Sequence, residues 1–398
     1  MKSTINKYYL FMFLKDFGFF SAVLVPFYTQ WAHISLFQVQ VLQSWFMVCL
    51  FLLDVPMGMV ADRFGRKYVL VAGVALDAVA SFLYGSTPYF DMFILGEFLM
   101  ALSLSLISGA DNALLYDALV EEGKEGQIKQ KSSRSQAINY LGVLIAAPLG
   151  SLIAAHFGLN VPMLATAVPL LLAALVAWSI AEPKIHRETL KRGNPFQAVK
   201  KGIIFFYQHP KLRLLGLDGI FVATSAYFIT WIYQPLLLQI HTPIFLFGFI
   251  IPILVGSEIL VAHFFPRLEK LFGSSKRYLT ISAGLTGVAF LLVGIFPNMI
   301  TILLFLIFAG GFGFTRMDLM ISYMNPFIPS ENRATVLSTI SMTRRFFLIF
   351  LNPLVGLLAD HSLQVVAILL GTLPLLMFFF SPVEHAMFEN TKEPIPEV

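Results

Sequence analysis

Twelve charged side chains stand inside long apolar runs: Lys15, Asp16, Asp54, Asp77, Glu97, Asp111, Asp218, Glu258, Arg316, Asp318, Arg344 and Arg345. An ionisable group at the centre of a bilayer costs at least about 2.5–3.5 kcal/mol on insertion scales, so each needs a partner, a passing ion or a substrate. Burial disfavours the charged form of a carboxyl and a nearby cation favours it, so an acid beside a base can take up and release a proton as water access changes. Asp16 beside Lys15 has that pattern, although it can equally serve only to neutralise a basic neighbour. Glu97 and Asp111, fourteen residues apart, fall within about 40° of one helix face and about 21 Å apart along it, and Ser108 shares that face. Arg316 and Asp318 point about 200° apart and do not share a face. Arg344 and Arg345 fall near the middle of their run, where at least one requires a carboxylate or a substrate. Asp54 and Asp117, near run ends, read as structural, and Asp77 as a packing or hydrogen-bonding residue. His156 and His263 read as interfacial, whereas Tyr227, Trp231 and Tyr233 suit either a substrate stack or an interfacial belt.

Other chemistries find no support. There is no glycine-rich phosphate loop ending in Lys-Ser/Thr, so direct ATP drive is not expected. No His/Glu metal pair or nucleophile elbow is visible, so no metal, cofactor or enzyme activity is expected. The one cysteine, Cys49, excludes an intramolecular disulfide.

The elements that hold these residues are membrane helices. Hydrophobic residues make up 57% of the 398 and charged ones 13%, with 40 Phe; mean hydropathy is +0.77. That composition calls for lipid as solvent. A span of the hydrocarbon core takes about 20 apolar residues. Such runs recur near 8–30, 37–60, 68–88, 91–116, 136–157, 160–181, 211–238, 244–265, 278–296, 299–323, 335–357 and 364–382. The first reads as a span, not a cleaved signal, because no small-residue cleavage site closes it. Lys and Arg concentrate in alternate loops, from Arg63, Arg66 and Lys67 to Arg333, while 31–36, 89–91, 158–160, 239–243, 297–298 and 358–363 carry none. This asymmetry puts both termini in the cytoplasm and accounts for the pI of 9.0 without a nucleic-acid partner. Residues 194–208 read as an amphipathic surface helix, with Asn194 as cap and Phe196, Val199, Ile203 and Phe206 on one face.

The two halves echo one another. Residues 148–156, PLGSLIAAH, match residues 353–361, PLVGLLADH, at five of nine positions. Phe64-Gly65-Arg66-Lys67-Tyr68 is echoed by Phe272-Gly273-Ser274-Ser275-Lys276-Arg277-Tyr278 at a nearly equal offset. Two parallel six-helix repeats are a transporter architecture. The expected organisation is a bundle over 1–182, a linker over 183–210, a second bundle over 211–384 and a cytoplasmic tail over 385–398.

The loop after the second run reads Gly58-Met59-Val60-Ala61-Asp62-Arg63-Phe64-Gly65-Arg66-Lys67. Gly65 permits a tight turn, and Asp62 can accept hydrogen bonds from a helix N-terminus or an arginine. The loop resembles the signature of the major facilitator superfamily. The resemblance implies an all-α membrane protein, two pseudo-symmetric six-helix bundles around a central cavity. The loop would then act as a conformational latch, with Gly58, Asp62, Arg63, Gly65, Arg66 and Lys67 at its positions and Asp117 as the acid facing Arg66. It also implies that helices one, four, seven and ten line the cavity, leaving Asp77 outside it. Two departures touch the drug:proton antiporter branches, which the chain otherwise resembles most. Glu97 stands in the fourth helix where many drug exporters carry an arginine, and residues 142–150 only partly match the antiporter glycine pattern of the fifth.

Function follows as an expectation: a secondary transporter in the bacterial inner membrane, working by alternating access, with protons as coupling ion and Asp16 as first candidate, since antiporter relatives carry an acid in helix one. The primary reading is export of a small amphiphilic or drug-like molecule by a monomer. The alternative is uptake of a substrate bearing an anionic group, motivated by Lys15, Arg316, Arg344 and Arg345. Substrate and coupling-ion candidates are therefore Lys15, Asp16, Glu97, Asp111, Asp218, Glu258, Arg316, Asp318, Arg344 and Arg345.

Overall fold

The computed structural model describes residues 2–182, 195–329, 333–381 and 383. Among these there is helix and no strand. Twelve helices are long and apolar enough to cross a membrane: α1 (Thr4–Trp31), α2 (Leu36–Ala61), α3 (Arg66–Ser86), α4 (Phe90–Glu121), α5 (Glu125–Phe157), α6 (Val161–Ser179), α7 (Pro210–Gln239), α8 (Ile244–Phe272), α9 (Ser275–Ile295), α10 (Met299–Phe327), α11 (Thr335–His361) and α12 (Leu363–Phe380). Bare backbone is intolerable in hydrocarbon, so helices must satisfy their own amides. Their outward faces are apolar: Ile300 is 70% exposed, Phe379 69% and Leu175 67%, a surface that lipid covers.

Local chemistry sets where helices begin. Ser35 opens α2 with a reciprocal capping box to Gln38, and Asn298 opens α10 in the same way with Thr301. Ser274 caps α9 through the Arg277 N–H. The echoed loops share a backbone device: Gly65 has φ +100° and Gly273 φ +87°, a region that side chains avoid.

The chain divides into two compact units. Unit 1 comprises Met1–Lys191 together with Pro243–Ile251 and Ile349–Gly356. Its core gathers Tyr8, Phe11, Leu70, Val74, Ala110, Leu114 and Ala173. The two short segments that join it are held by hydrogen bonds, Ser151 Oγ donating to Phe245 O and Ser44 Oγ to Ile349 O, both at 2.8 Å. Unit 2 comprises Arg192–Thr242, Pro252–Leu348 and Leu357–Val398. Its core gathers Leu212, Leu215, Tyr278, Leu279, Met320 and Met324. The helix Pro195–Gln208 precedes α7; its Phe206 is buried against Gly216, whereas Ile203 is 40% exposed. Asn194, the side chains of Phe196 and Val199, and the tail 385–398 lie outside the described residues.

Three of the described spans are interrupted within their length, and α5 opens on a 3-10 turn at Glu125–Gln127. In α1 the helix Lys2–Lys15 stops, non-helical residues follow, a 3-10 turn runs over Phe19–Val23, and a π-helical stretch covers Phe27–Trp31. In α7 the helix pauses at Phe228, between Pro210–Tyr227 and Ile229–Gln239. In α10 a π-helical stretch covers Leu306–Gly310.

Candidate functional site

The break in α1 follows from its residues and neighbours. Lys15, Asp16 and Gly18 interrupt an otherwise apolar run. Gly18 N–H turns back to Asp16 O at 2.9 Å, and Phe19 N–H, deprived of a helical acceptor, donates to Thr166 Oγ1 of α6 at 3.0 Å. Thr166 in turn donates to Pro162 O at 2.8 Å. α5 comes against the break so closely that a Cβ on Gly150 would collide with Phe19 O, and one on Gly142 would lie 2.9 Å from Phe13 O. Irregular backbone at this depth survives only where protein or a watered cavity satisfies it.

Charge concentrates at the break. Lys15 Nζ lies 3.4 Å from Asp16 Oδ1, and the Asp16 side chain is 32% exposed. Asp111 of α4 and Asp77 of α3 both interact electrostatically with Lys15 and Asp16. Asp111 accepts the Asn112 N–H at 2.6 Å and Asn112 Nδ2 at 3.3 Å, and Tyr8 of α1 is a further electrostatic neighbour. Lys15 thus pairs directly with Asp16 and acts at longer range on Asp77 and Asp111. Lys15, Asp16 and Asp111 are brought together; Glu97 is not among them. It is 4% exposed in the N-terminal half of α4, accepting from Gln43 Nε2 at 2.8 Å and Tyr28 Oη at 3.4 Å. Tyr28 is presented by the π-helical stretch. Tyr28, Tyr84 and Phe93 pack as an aromatic lid, Tyr84 stacking on Phe93 at 4.9 Å.

Unit 2 holds its charges differently. Arg316 and Asp218 form an ion pair at 1% and 0% exposure. Arg316 Nε donates to Asp218 Oδ1 at 2.9 Å, and Arg316 Nη1 to Leu279 O at 2.7 Å and Ser282 Oγ at 2.8 Å. Ser381 Oγ donates to Asp218 Oδ2 at 3.3 Å. Both residues face protein and are engaged with it. Asp318 points away from that pair, exposed, and interacts electrostatically with Arg344, which also senses Arg345 and Tyr227 beside the pause in α7. Glu258 is partly buried on α8. Along α8 and α10 runs an apolar groove of about 570 Å³, lined among others by Pro252, Gly256, Leu260, Phe264, Phe308 and Phe312.

At the basic loop, Arg66 forms an ion pair with Asp117 and donates to Ala113 O. The N-terminus of α3 is capped by a residue that sequence reasoning passed over. Glu182 accepts Arg66 N–H at 2.9 Å and Lys67 N–H at 2.8 Å, so a carboxylate meets the positive helix end. Gly65 makes room for it. Lys67 Nζ sits over the Trp178 ring at 5.3 Å. Gly58 has open space beside it, Arg63 is exposed, and the Asp62 side chain lies outside the described residues.

Residues 9–351 match the sequence profile of the Major Facilitator Superfamily. The chain belongs to that superfamily. It is a transporter, not an enzyme. Among solved structures, the nucleoside transporter NupG superposes with a TM-score of 0.81 at 15% identity, covering 97% of this chain and 99% of that one. A bacterial homologue of the human lysosomal transporter Spinster, inward-facing and unoccupied, gives 0.72 at 14% identity, covering 98% and 97%. At these identities they attest the fold. Sequence relatives match over shorter stretches. An uncharacterized transporter of Buchnera aphidicola subsp. Schizaphis graminum is 30% identical over 140 residues, 35% of this chain and 34% of that protein. The chloramphenicol resistance protein CraA of Acinetobacter baumannii is 29% identical over 122 residues, 31% of this chain and 28% of that protein. Each match spans about a third or less of the relative's length.

Within this superfamily member, Asp77 stands on helix three, which the family resemblance assigns to the outside of the bundle. Its neighbours one turn away, Gly73, Val74, Ala80 and Ser81, are all buried, so the carboxyl projects into the bundle.

Proposed function

We propose that the chain is a proton-coupled exporter of small amphiphilic molecules, working by alternating access in the bacterial inner membrane with both termini cytoplasmic. The observation that carries this reading is the broken α1, where the Lys15–Asp16 pair lies in the electrostatic reach of Asp77 and Asp111. The two carboxylates in excess of the lysine give a protein-lined site that protons can fill and leave. The apolar groove along α8 and α10 suits the apolar body of a substrate, within the usual range of about 300–1,000 Å³ for ligand sites. The name of the Acinetobacter relative supports export of an antimicrobial of that kind. The alternative, uptake of an anionic substrate, loses Arg316 to Asp218 and rests on Lys15, Arg344 and Arg345.

The test is flux of chloramphenicol and a small panel of amphiphiles in proteoliposomes with an imposed pH gradient. Gradient-dependent movement is expected, and Asp16→Asn should abolish its dependence on the gradient. No gradient-dependent flux of any probe, or full activity of Asp16→Asn, would refute the reading.

A further inference from the structure

Glu97 is a buried carboxyl with neutral hydrogen-bond donors and no ion pair among the described residues. A carboxylate in that setting is expensive, and protonation is the ordinary way out. A proton placed there needs a route. α3 supplies one on its inner face: Asp77, Ser81 and Tyr84 follow at intervals of four and three residues, hence on one side of the helix. The Tyr84 hydroxyl neighbours Glu97 and Tyr28. Ser81 is 1% exposed and its hydroxyl has no hydrogen-bond partner among the described residues. An orphaned buried hydroxyl on the helix face between Asp77 and Tyr84 calls for an explanation. Asp77 closes the row within electrostatic reach of Lys15 and Asp16 at the α1 break.

We propose that Glu97, Tyr84, Ser81 and Asp77 form a proton path along the inner face of α3, joining the buried carboxyl of α4 to the Lys15–Asp16 pair. Seven residues of helix span about 10 Å, and a water bridges each gap too long for a direct bond. The step is balanced. Tyr84 accepts the Glu97 proton as it passes its own to the water beside Ser81, and that water protonates Asp77. Asp77 then releases a proton to water at the break, and its carboxylate draws Lys15 from Asp16, which is exposed enough to be hydrated alone. The groups facing the path are few. α1 contributes Lys15, Asp16 and Tyr28; α2 contributes Gln43 and Cys49. α4 contributes Asp111, through Lys15 and Asp16. α6 carries no ionisable side chain.

The role in coupling rests on the proton-coupled reading above, but the path itself is testable without a substrate. In hydrated films of the full chain, infrared spectroscopy follows the C=O stretch of protonated carboxyls as H₂O is replaced by D₂O. Wild type should show a band that Glu97→Gln removes, exchanging fast. Ser81→Ala and Tyr84→Phe, which keep packing and delete only hydroxyls, should retain the band and slow its exchange by about tenfold or more. Asp77→Asn should slow it as well, and Asp77→Glu should restore it. Unchanged exchange in both hydroxyl variants, or no band sensitive to Glu97→Gln, would overturn the path. In proteoliposomes the same hydroxyl variants should lose gradient-driven flux by a similar factor while keeping substrate exchange at zero gradient. Wild type without gradient-driven flux would instead refute the proton-coupled reading, leaving the infrared result to decide the path.

Discussion

Asp218→Asn is the sharpest perturbation of unit 2. The substitution keeps shape and removes charge, leaving the Arg316 guanidinium uncompensated at 1% exposure. Removing one partner of a buried pair costs about 3–5 kcal/mol, more than the pair itself contributes, because the remaining charge stays desolvated. Arg316 retains Leu279 O and Ser282 Oγ, which are neutral acceptors and do not balance it. At about 2–4 °C per kcal/mol for a unit of roughly 200 residues, apparent melting should fall by about 6–20 °C. The assay is thermal unfolding of purified protein in detergent at one fixed scan rate, since membrane proteins of this size unfold irreversibly. The double variant Asp218→Leu with Arg316→Met removes both charges and should recover most of the loss, because two apolar side chains of similar volume replace a pair whose desolvation nearly cancels its attraction. A drop of less than about 2 °C for Asp218→Asn would refute the reasoning, as would a double variant no better than the single one.

Two further outcomes follow from packing and capping. Gly150→Leu should abolish folding or transport, because even a Cβ there collides with the Phe19 carbonyl at the α1 break, while Gly142→Ala, whose Cβ meets Phe13 O at 2.9 Å, should be milder; expression and melting of the two variants check the order. Glu182→Ala should destabilise unit 1 by about 0.5–2 kcal/mol, the usual worth of an N-terminal cap, read as a melting shift that Glu182→Asp partly restores.

The spans and the Gly65 turn were legible because their causes are local: a run of apolar residues, a residue able to hold φ +100°, a Ser or Asn cap. The break in α1 was half visible, since Lys15, Asp16 and Gly18 stand in the apolar run, but its anchor is Thr166, nearly 150 residues away. Types without pairings are all that a single sequence offers at such distances. Asp218 and Arg316 read singly as cavity candidates, because nothing in the sequence shows that two residues 98 apart pair with each other. Glu182 was hidden for another reason: a carboxylate just past a helix end looks like any loop residue until the helix it caps is known.

The two repeats share a backbone plan and use charge in opposite ways. In unit 2 the deeply buried charges balance one to one, with Arg316 and Asp218 bonded on every side, an arrangement that resists change of state. In unit 1 Lys15 at a helix break pairs with Asp16 and acts electrostatically on Asp77 and Asp111, and a fourth acid, Glu97, has only neutral partners among the described residues. A balanced pair gains nothing from a proton, because protonating its acid strands the base. A set with surplus carboxylates is lowered in energy by each cation it takes up. The proposed proton coupling therefore places its chemistry in unit 1, and Asp16, 32% exposed, is the member that water can reach.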